Sequence, residues 1–311
     1  FDVVGAEVAN VANNVGLAEV SGFNRIEITG KDRHAFLDRM ICGNVTKRQG
    51  RVGLAYLLND QGCIKAEATI ANLPASDRGP ERVWYGSAAA SEYHGMDWLT
   101  TQRRQNEDVH FRSFTNDQTI LVLAGPKARA VLSACARGDW SVGAFPWLSV
   151  RECTVGFAPA TVLGISFSGE LAYEIHVPNS SLYAAYLALR EAGEKYGLKL
   201  FGARAVDSMR MEMGFLHWKA DLTTEFDPVE TGLERFVNLD KGAFTGKSAL
   251  LARQAAGPQR KLVTLKLDAP HAPAHPGASL MKDGRVVGTI TSGAYGYRVG
   301  LNLAYGFVAP D

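Results

Sequence analysis

Two apolar runs, residues 53–58 and 64–72, are joined through Asn59-Asp60-Gln61-Gly62. Asn, Asp and Gly tolerate positive φ, so this spacing predicts an antiparallel hairpin. The same economy recurs at 161–167 and 171–177, joined at Ser168-Gly169. Helical segments intervene irregularly. A doubly wound sheet needs a crossover helix between successive parallel strands, so that class is excluded. The chain reads as α+β with mostly antiparallel pairing.

Val4, Val8, Val11 and Val15 fall at helical spacing and predict a helix over 2–15. Phe23, Ile26 and Ile28 mark a short strand ending at Gly30. Phe36, Leu37 and Met40 face inward from a helix over 31–40. The polar stretch 74–81 reads as an exposed hairpin loop before a strand at 83–86. A helix over 91–101 and a strand over 119–123 follow, and Gly125-Pro126 opens a further helix with Pro at its first position. Leu182, Tyr186 and Leu189 share one face of a helix over 181–196. Val206, Met209 and Met213 make the apolar stripe of another over 203–213. Beyond Gly257-Pro258 the tail is all β, with strands at 261–267, 285–291 and 305–308.

At roughly 150 residues per domain, 311 residues suggest two domains or three small ones. Lys and Arg number 33 against 32 Asp and Glu, a net charge of +1. That balance argues against broad electrostatic binding to nucleic acid or to an anionic membrane. The longest apolar runs, 120–125 and 160–165, are strand-sized and fall far short of the ~18 residues needed to span a bilayer. No signal peptide is visible, and a start at Phe1 rather than Met leaves room for a true start upstream. Cys42, Cys63, Cys135 and Cys153 are widely spaced without a C-x-x-C, and read as reduced thiols of a cytosolic-type protein.

Gly242-Ala-Phe-Thr-Gly-Lys-Ser248 resembles a P-loop but is one residue short and follows no clear strand, so Thr245 reads as the N-cap of a helix through Leu251. His271 and His275 have metal-ligand spacing only on a helix, which Pro270, Pro273 and Pro276 forbid. No metal site is expected. Two carboxylates remain. Alternation puts Glu67 and Thr69 on one face of a strand, and Glu174 with Ala172 and His176 on one face of another. Taken alone, each Glu is more simply a solvated residue, since Glu is seldom buried without a partner.

An ordered set of stretches changes that reading. It comprises Ser21-Gly-Phe-Asn-Arg-Ile-Glu-Ile-Thr-Gly30, His34-Ala-Phe-Leu-Asp-Arg39, Leu58-Asn-Asp-Gln-Gly62, Ser168-Gly-Glu-Leu-Ala-Tyr-Glu-Ile-His-Val-Pro178 and Ala205-Val-Asp-Ser-Met-Arg-Met-Glu-Met-Gly-Phe215. His217-Trp218, Asp227-Pro-Val-Glu-Thr-Gly-Leu233, Asn238-Leu-Asp-Lys241, Phe244-Thr-Gly-Lys247 and Gly288-Thr-Ile-Thr-Ser-Gly293 complete it. Together they resemble the glycine-cleavage T-protein (aminomethyltransferase) family, most closely the folate-binding C-terminal half of dimethylglycine and sarcosine dehydrogenases.

The resemblance implies a three-domain cloverleaf around a central tetrahydrofolate cavity. Residues 1–50 and 139–240 would form a discontinuous first domain, 51–138 a ferredoxin-like second, and 241–311 a C-terminal jelly-roll or barrel domain, incomplete because family members continue further. By resemblance Glu67 takes the place of the catalytic Asp. Thr69 and Leu54 line the folate, Phe167 and Trp84 supply aromatic contacts, and Glu174 grips the pterin. Departures from the family pattern are Glu for Asp at 67, Cys63 for the second Gly of a turn, Phe for Tyr at 167, and Val206 where an Arg meets the folate tail. Arg204 lies two positions away from that place.

The implied activity is tetrahydrofolate-dependent transfer of a one-carbon unit. It forms 5,10-methylene-tetrahydrofolate from an aminomethyl donor or an iminium derived from an N-methyl amine. Two alternatives stand beside it: a methyltransferase giving 5-methyl-tetrahydrofolate, and a folate-binding module without chemistry of its own. The expected partners are a small amine or methyl donor and a flavin-containing dehydrogenase domain or subunit, since no G-x-G-x-x-G follows a first strand here. A cytoplasmic location is expected, or the mitochondrial matrix in a eukaryote.

Overall fold

The structure is a computed structural model that describes residues 2–269 and 272–310. Helix α1 (Asp2–Asn13) leads directly into β1 (Val15–Glu19) and then β2 (Phe23–Thr29), α2 (Arg33–Met40), β3 (Val52–Leu58), β4 (Ile64–Leu73), β5 (Arg82–Ala88), α3 (Glu92–Gln102) and β6 (His110–Ser113). Next come β7 (Gln118–Ala124), α4 (Ala128–Cys135), β8 (Val150–Val155), β9 (Ala158–Leu163), β10 (Ala172–Pro178), α5 (Leu182–Glu194), β11 (Leu198–Leu200) and α6 (Ala203–Glu212). The chain ends with α7 (Lys247–Ala256), β12 (Lys261–Leu267), β13 (Ser279–Lys282), β14 (Arg285–Gly296) and β15 (Leu301–Val308).

These strands make three sheets. Five antiparallel strands run in the order β3-β4-β5-β2-β6. One face of that sheet (Ile26, Ile28, Ala55, Leu57, Ala68, Ile70, Val83 and Tyr85) is buried under Phe36, Leu37 and Met40 of α2 and Leu99 of α3. Six strands run β11-β1-β7-β10-β9-β8, with only β1 and β11 parallel. Their outer face packs on α4 and α5 through Val131, Leu132, Ala185 and Leu189. The inner face meets α1 and α6 at one end, where Val8, Val11, Ala18, Ala172, Ala205 and Met209 form a cluster. The tail forms a four-stranded antiparallel sheet, β12-β15-β14-β13.

The five-stranded sheet is inserted between β1 and β7, and this topology cuts across the boundaries expected at residues 50 and 138. β2 hydrogen-bonds within the five-stranded sheet, and β7 pairs with β1 and β10 in the six-stranded one. We propose that the units follow the sheets, with the insert running from β2 to β6.

Several local expectations are corrected. Helix α1 stops at Asn13, and Val15 already belongs to a strand. Strand β9 ends at Leu163, so 164–167 is loop. The N-cap of α7 is Gly246 rather than Thr245. Gly246 sits at φ 82°, where a Cβ would collide with the carbonyl of Asn59 in the predicted hairpin turn. Met213 is 47% exposed and leaves the α6 stripe. His275 is exposed, while His271 and Pro270 lie outside the described residues.

A buried ionic knot ties α6 to the last sheet. Asp221 is fully buried and accepts from Arg210 Nη1 (3.1 Å), the His217 amide (2.9 Å) and Thr291 Oγ1 (2.5 Å). Arg210 also reaches Ser292 Oγ, 3.1 Å away on β14. Removing one member of a buried pair leaves the other charge uncompensated. Asp221→Ala should therefore cost about 3–5 kcal/mol of stability, read as a lower urea midpoint.

Candidate functional site

Period-two alternation turns a second set of side chains to the other face of the five-stranded sheet. Across the strands Leu54 pairs with Thr69, Thr69 with Gly86, and Gly86 with Arg25, so these four form one row. One row along, Tyr56 pairs with Glu67. On the other side, Ala71 pairs with Trp84.

On the six-stranded sheet Glu174 sits mid-strand between Val122 and Leu163. Tyr173, Ile175 and Val177 go into the outer core, so Glu174 and His176 take the inner face. Leu163 and Val150 of that inner face pack directly against Trp84, Ala71 and Val52. The His176 ring lies 5.7 Å from Trp84, and the Arg25 guanidinium has its largest electrostatic interaction with Glu174. Glu67 and Glu174 thus lie on the faces of the two sheets that carry this contact, which Trp84 makes with Leu163, Val150 and His176.

Each carboxylate is held by one oxygen. Tyr56 donates to Glu67 Oε2 at 2.7 Å, and Phe236 backs the Tyr56 ring at a centroid distance of 5.1 Å. Glu174 Oε2 lies 3.2 Å from His176 Nε2. Neither Oε1 has a hydrogen-bond partner among the described residues. Burial pushes the Glu67 carboxyl from 4.5 up to about 6, and the Tyr56 hydrogen bond pulls the other way. Burial, then the adjacent carboxylate, raises Tyr56 far above its ordinary value, so it stays a neutral donor. Tyr56→Phe should remove the stabilising hydrogen bond and move the acid limb of any Glu67-dependent rate to higher pH. A pH–rate profile checks this.

The other expected site residues are distributed unevenly. Leu54 is 42% exposed and Thr69, opposite it, is half-buried. Trp84 is buried against Phe114, with ring centroids 4.8 Å apart and planes inclined by 49°. Phe167 lies on the loop after β9 and stacks on Phe215, with ring centroids 6.1 Å apart and planes inclined by 14°. Arg204 is exposed. Sequence reasoning missed Arg25 and Tyr56 as site residues. Arg25 lies inside a quoted stretch, but nothing local marks it as buried. Alternation over 53–58 could have flagged Tyr56 as the cross-strand neighbour of Glu67.

Four buried nitrogens near Glu174 lack partners: Arg25 Nε and Nη1, Trp84 Nε1 and His176 Nδ1. The remaining Arg25 nitrogen, Nη2, donates to the carbonyls of Thr115 and Gln118. A larger open groove of about 510 Å³, bordered by Arg78, Arg137 and Arg151, is lined by none of the expected site residues.

The chain thus folds into three sheets, with Glu67 on the second face of the five-stranded sheet and Glu174 on the inner face of the six-stranded one. Residues 1–241 match the GCVT N-terminal domain, and residues 260–311 match the glycine cleavage T-protein C-terminal barrel domain. The chain belongs to the glycine-cleavage T-protein family. Among curated proteins it is 32% identical to mitochondrial dimethylglycine dehydrogenase of Rattus norvegicus over 99% of its own length and 36% of the relative's. It is 26% identical to human mitochondrial sarcosine dehydrogenase, again over 99% of its length and 34% of the relative's. The chain thus spans about a third of these relatives. Its fold matches the glycine cleavage system aminomethyltransferase T from Bartonella henselae with a TM-score of 0.86 at 24% identity, covering 98% of this chain and 81% of that one. No helix among the described residues is long and apolar enough to cross a membrane.

Proposed function

We propose that this chain binds tetrahydrofolate in the seam between the two sheets and catalyses transfer of a one-carbon unit to it from an iminium or aminomethyl donor derived from an N-methyl amine. The products are 5,10-methylene-tetrahydrofolate and an amine. The observation that carries the reading is the pair Glu67 and Glu174, each on the inward face of its own sheet, tied by one oxygen and open at the other.

The residues suit a reduced pterin. A pterin edge offers two adjacent N–H groups, and a carboxylate can accept both. Glu174 keeps that capacity, because the oxygen beside His176 retains a second lone pair. The unpartnered nitrogens of Arg25 and Trp84 add donors where a pterin offers acceptors, whereas His176, donating through Nε2 to Glu174, leaves Nδ1 as an acceptor. Thr69, Leu54 and Phe167 would bear on the ligand from the sides.

When bound, tetrahydrofolate supplies N5 and N10, the two nitrogens that take up the carbon unit. Glu67 removes a proton from a folate nitrogen and offsets the positive charge of the donor. With its carboxyl at about 6, it is ionised by about ten to one at pH 7 and still basic enough to act. Tyr56 fixes its orientation. The apolar walls at Trp84, Leu163 and Val150 exclude water, which limits hydrolysis of the donor. The donor arrives from an amine-oxidising partner, a flavin-containing dehydrogenase domain or subunit.

The test supplies tetrahydrofolate and a formaldehyde–amine adduct and separates the folate products by chromatography, with the uncatalysed background subtracted. Enzyme-dependent 5,10-methylene product is expected. A 5-methyl product alone would make the chain a methyltransferase. Tight folate binding with no turnover would reduce it to a binding module.

A further inference from the structure

Arg25 is buried where the two sheets meet, and only one end of its guanidinium is engaged. Nη2 donates to the carbonyls of Thr115 and Gln118, the latter at 2.7 Å. Nε and Nη1 are buried with no hydrogen-bond partner, and no carboxylate stands within ion-pair distance of the side chain among the described residues. Folded proteins seldom leave buried N–H groups unpaired, so these call for a partner from outside the chain.

Several contacts bring this end of Arg25 to the surroundings of Glu174. On the five-stranded sheet Arg25 pairs with Gly86, and Trp84 stands two residues from Gly86 on the same face. The Trp84 ring lies 5.7 Å from the His176 ring, and His176 Nε2 is 3.2 Å from Glu174 Oε2. On the six-stranded sheet Gln118, which anchors Nη2, begins β7, the strand that pairs with β10 through Glu174 and His176. Among the carboxylates Glu174 acts most strongly on the Arg25 charge. Between Arg25 and Thr69 the sheet is bare. A Cβ added at Gly86 would meet only the carbonyl oxygens of Asn24 at 3.6 Å and Thr69 at 4.0 Å, and no side chain comes as close. A flat ring can lie over Gly86 with one edge toward Arg25.

A carboxylate alone does not decide which pteridine it holds. A 4-oxo pteridine offers N3–H and its 2-amino group to Glu174. A protonated 2,4-diamino ring offers N1–H and its 2-amino group in the same geometry. A guanidinium beside the carboxylate breaks the tie. It donates and cannot accept, so it matches an oxygen at C4 and opposes both an amino group there and a cationic ring. We propose that Arg25 is a specificity-determining residue that restricts the site to 4-oxo pteridines by donating from Nε or Nη1 to the C4 oxygen. The inference rests on the folate reading and adds which pteridine ring the site admits.

Tetrahydrofolate and its 4-amino counterpart, tetrahydroaminopterin, are matched probes that differ only at C4. Each is titrated by calorimetry into the full chain without oxygen. Tetrahydrofolate should bind at least about a hundredfold more tightly, since a site built to hydrogen-bond one group strongly rejects an analogue that leaves its buried partner unpaired. Arg25→Gln should bring the two affinities within about tenfold, because an amide can turn to donate or to accept. Arg25→Lys keeps the charge and the donors and should hold most of the preference. A preference below about tenfold in the unmodified chain would overturn the proposal while leaving the folate reading in place, and that comparison needs no variant to fold. An unchanged preference in Arg25→Gln would overturn it equally. Failure of the unmodified chain to bind either compound would refute the folate reading and this inference with it.

Discussion

Glu67→Gln should abolish most of the turnover while leaving tetrahydrofolate binding nearly intact. Gln keeps the shape and can still accept from Tyr56, but it cannot take a proton or balance a cationic donor. A positioned base typically contributes ~10²–10⁴-fold, so the rate should fall by about that factor. In the unmodified chain the rate should rise as pH increases through about 6, where Glu67 ionises. Stability should behave in the opposite sense. The fold holds this proton more tightly than the unfolded chain does, so between about 4.5 and 6 stability declines as pH rises, and the cost persists above that window. Glu67→Gln should flatten this decline and leave the protein as stable or slightly more so at pH 7. Lost activity without lost stability distinguishes a working carboxylate from a structural one. Normal turnover in Glu67→Gln would remove the residue from the chemistry.

Glu174→Ala should instead abolish binding. A hydrogen bond to a charged group contributes about 1.5–3 kcal/mol. Losing one or both contacts to a pterin edge should weaken affinity by roughly 2–4 kcal/mol, about thirty- to a thousandfold. Calorimetric titration of tetrahydrofolate reads this directly. The side chain is half-buried, and its only hydrogen-bond partner among the described residues is His176, two residues away on the same strand. Its charge also acts on buried Arg25, so the substitution should lower stability as well, and affinity is therefore measured on folded protein. Unchanged affinity would end the pterin-anchor assignment.

The hairpin of β3 and β4 was legible because its alternation and its Asn-Asp-Gln-Gly turn agree. β1 was hidden because Val15 continues the valine spacing of α1, so a helical period ran on into a strand. β8 was missed because Arg151, Glu152 and Thr154 give it a polar look, although Val150 and Val155 are buried. The boundaries expected at 50 and 138 differ from those proposed from the sheets for a related reason: pairing partners lie far apart in the chain, and no local signal reports them. Alternation placed Glu67 and Glu174 on faces but could not tell an inner face from a solvated one, and family resemblance supplied that step.

The order in which the sheets close has a consequence for synthesis. Val15 is translated long before its parallel neighbour Leu198, and its antiparallel sheet begins only with β7. At about 5–20 residues per second, translation from one to the other takes roughly ten to forty seconds. The inserted five-stranded unit is complete by residue 113 and does not depend on β1. In the nascent chain an apolar strand destined for full burial therefore waits unpaired beside a unit that has already folded, and this is the interval in which a chaperone has most to protect.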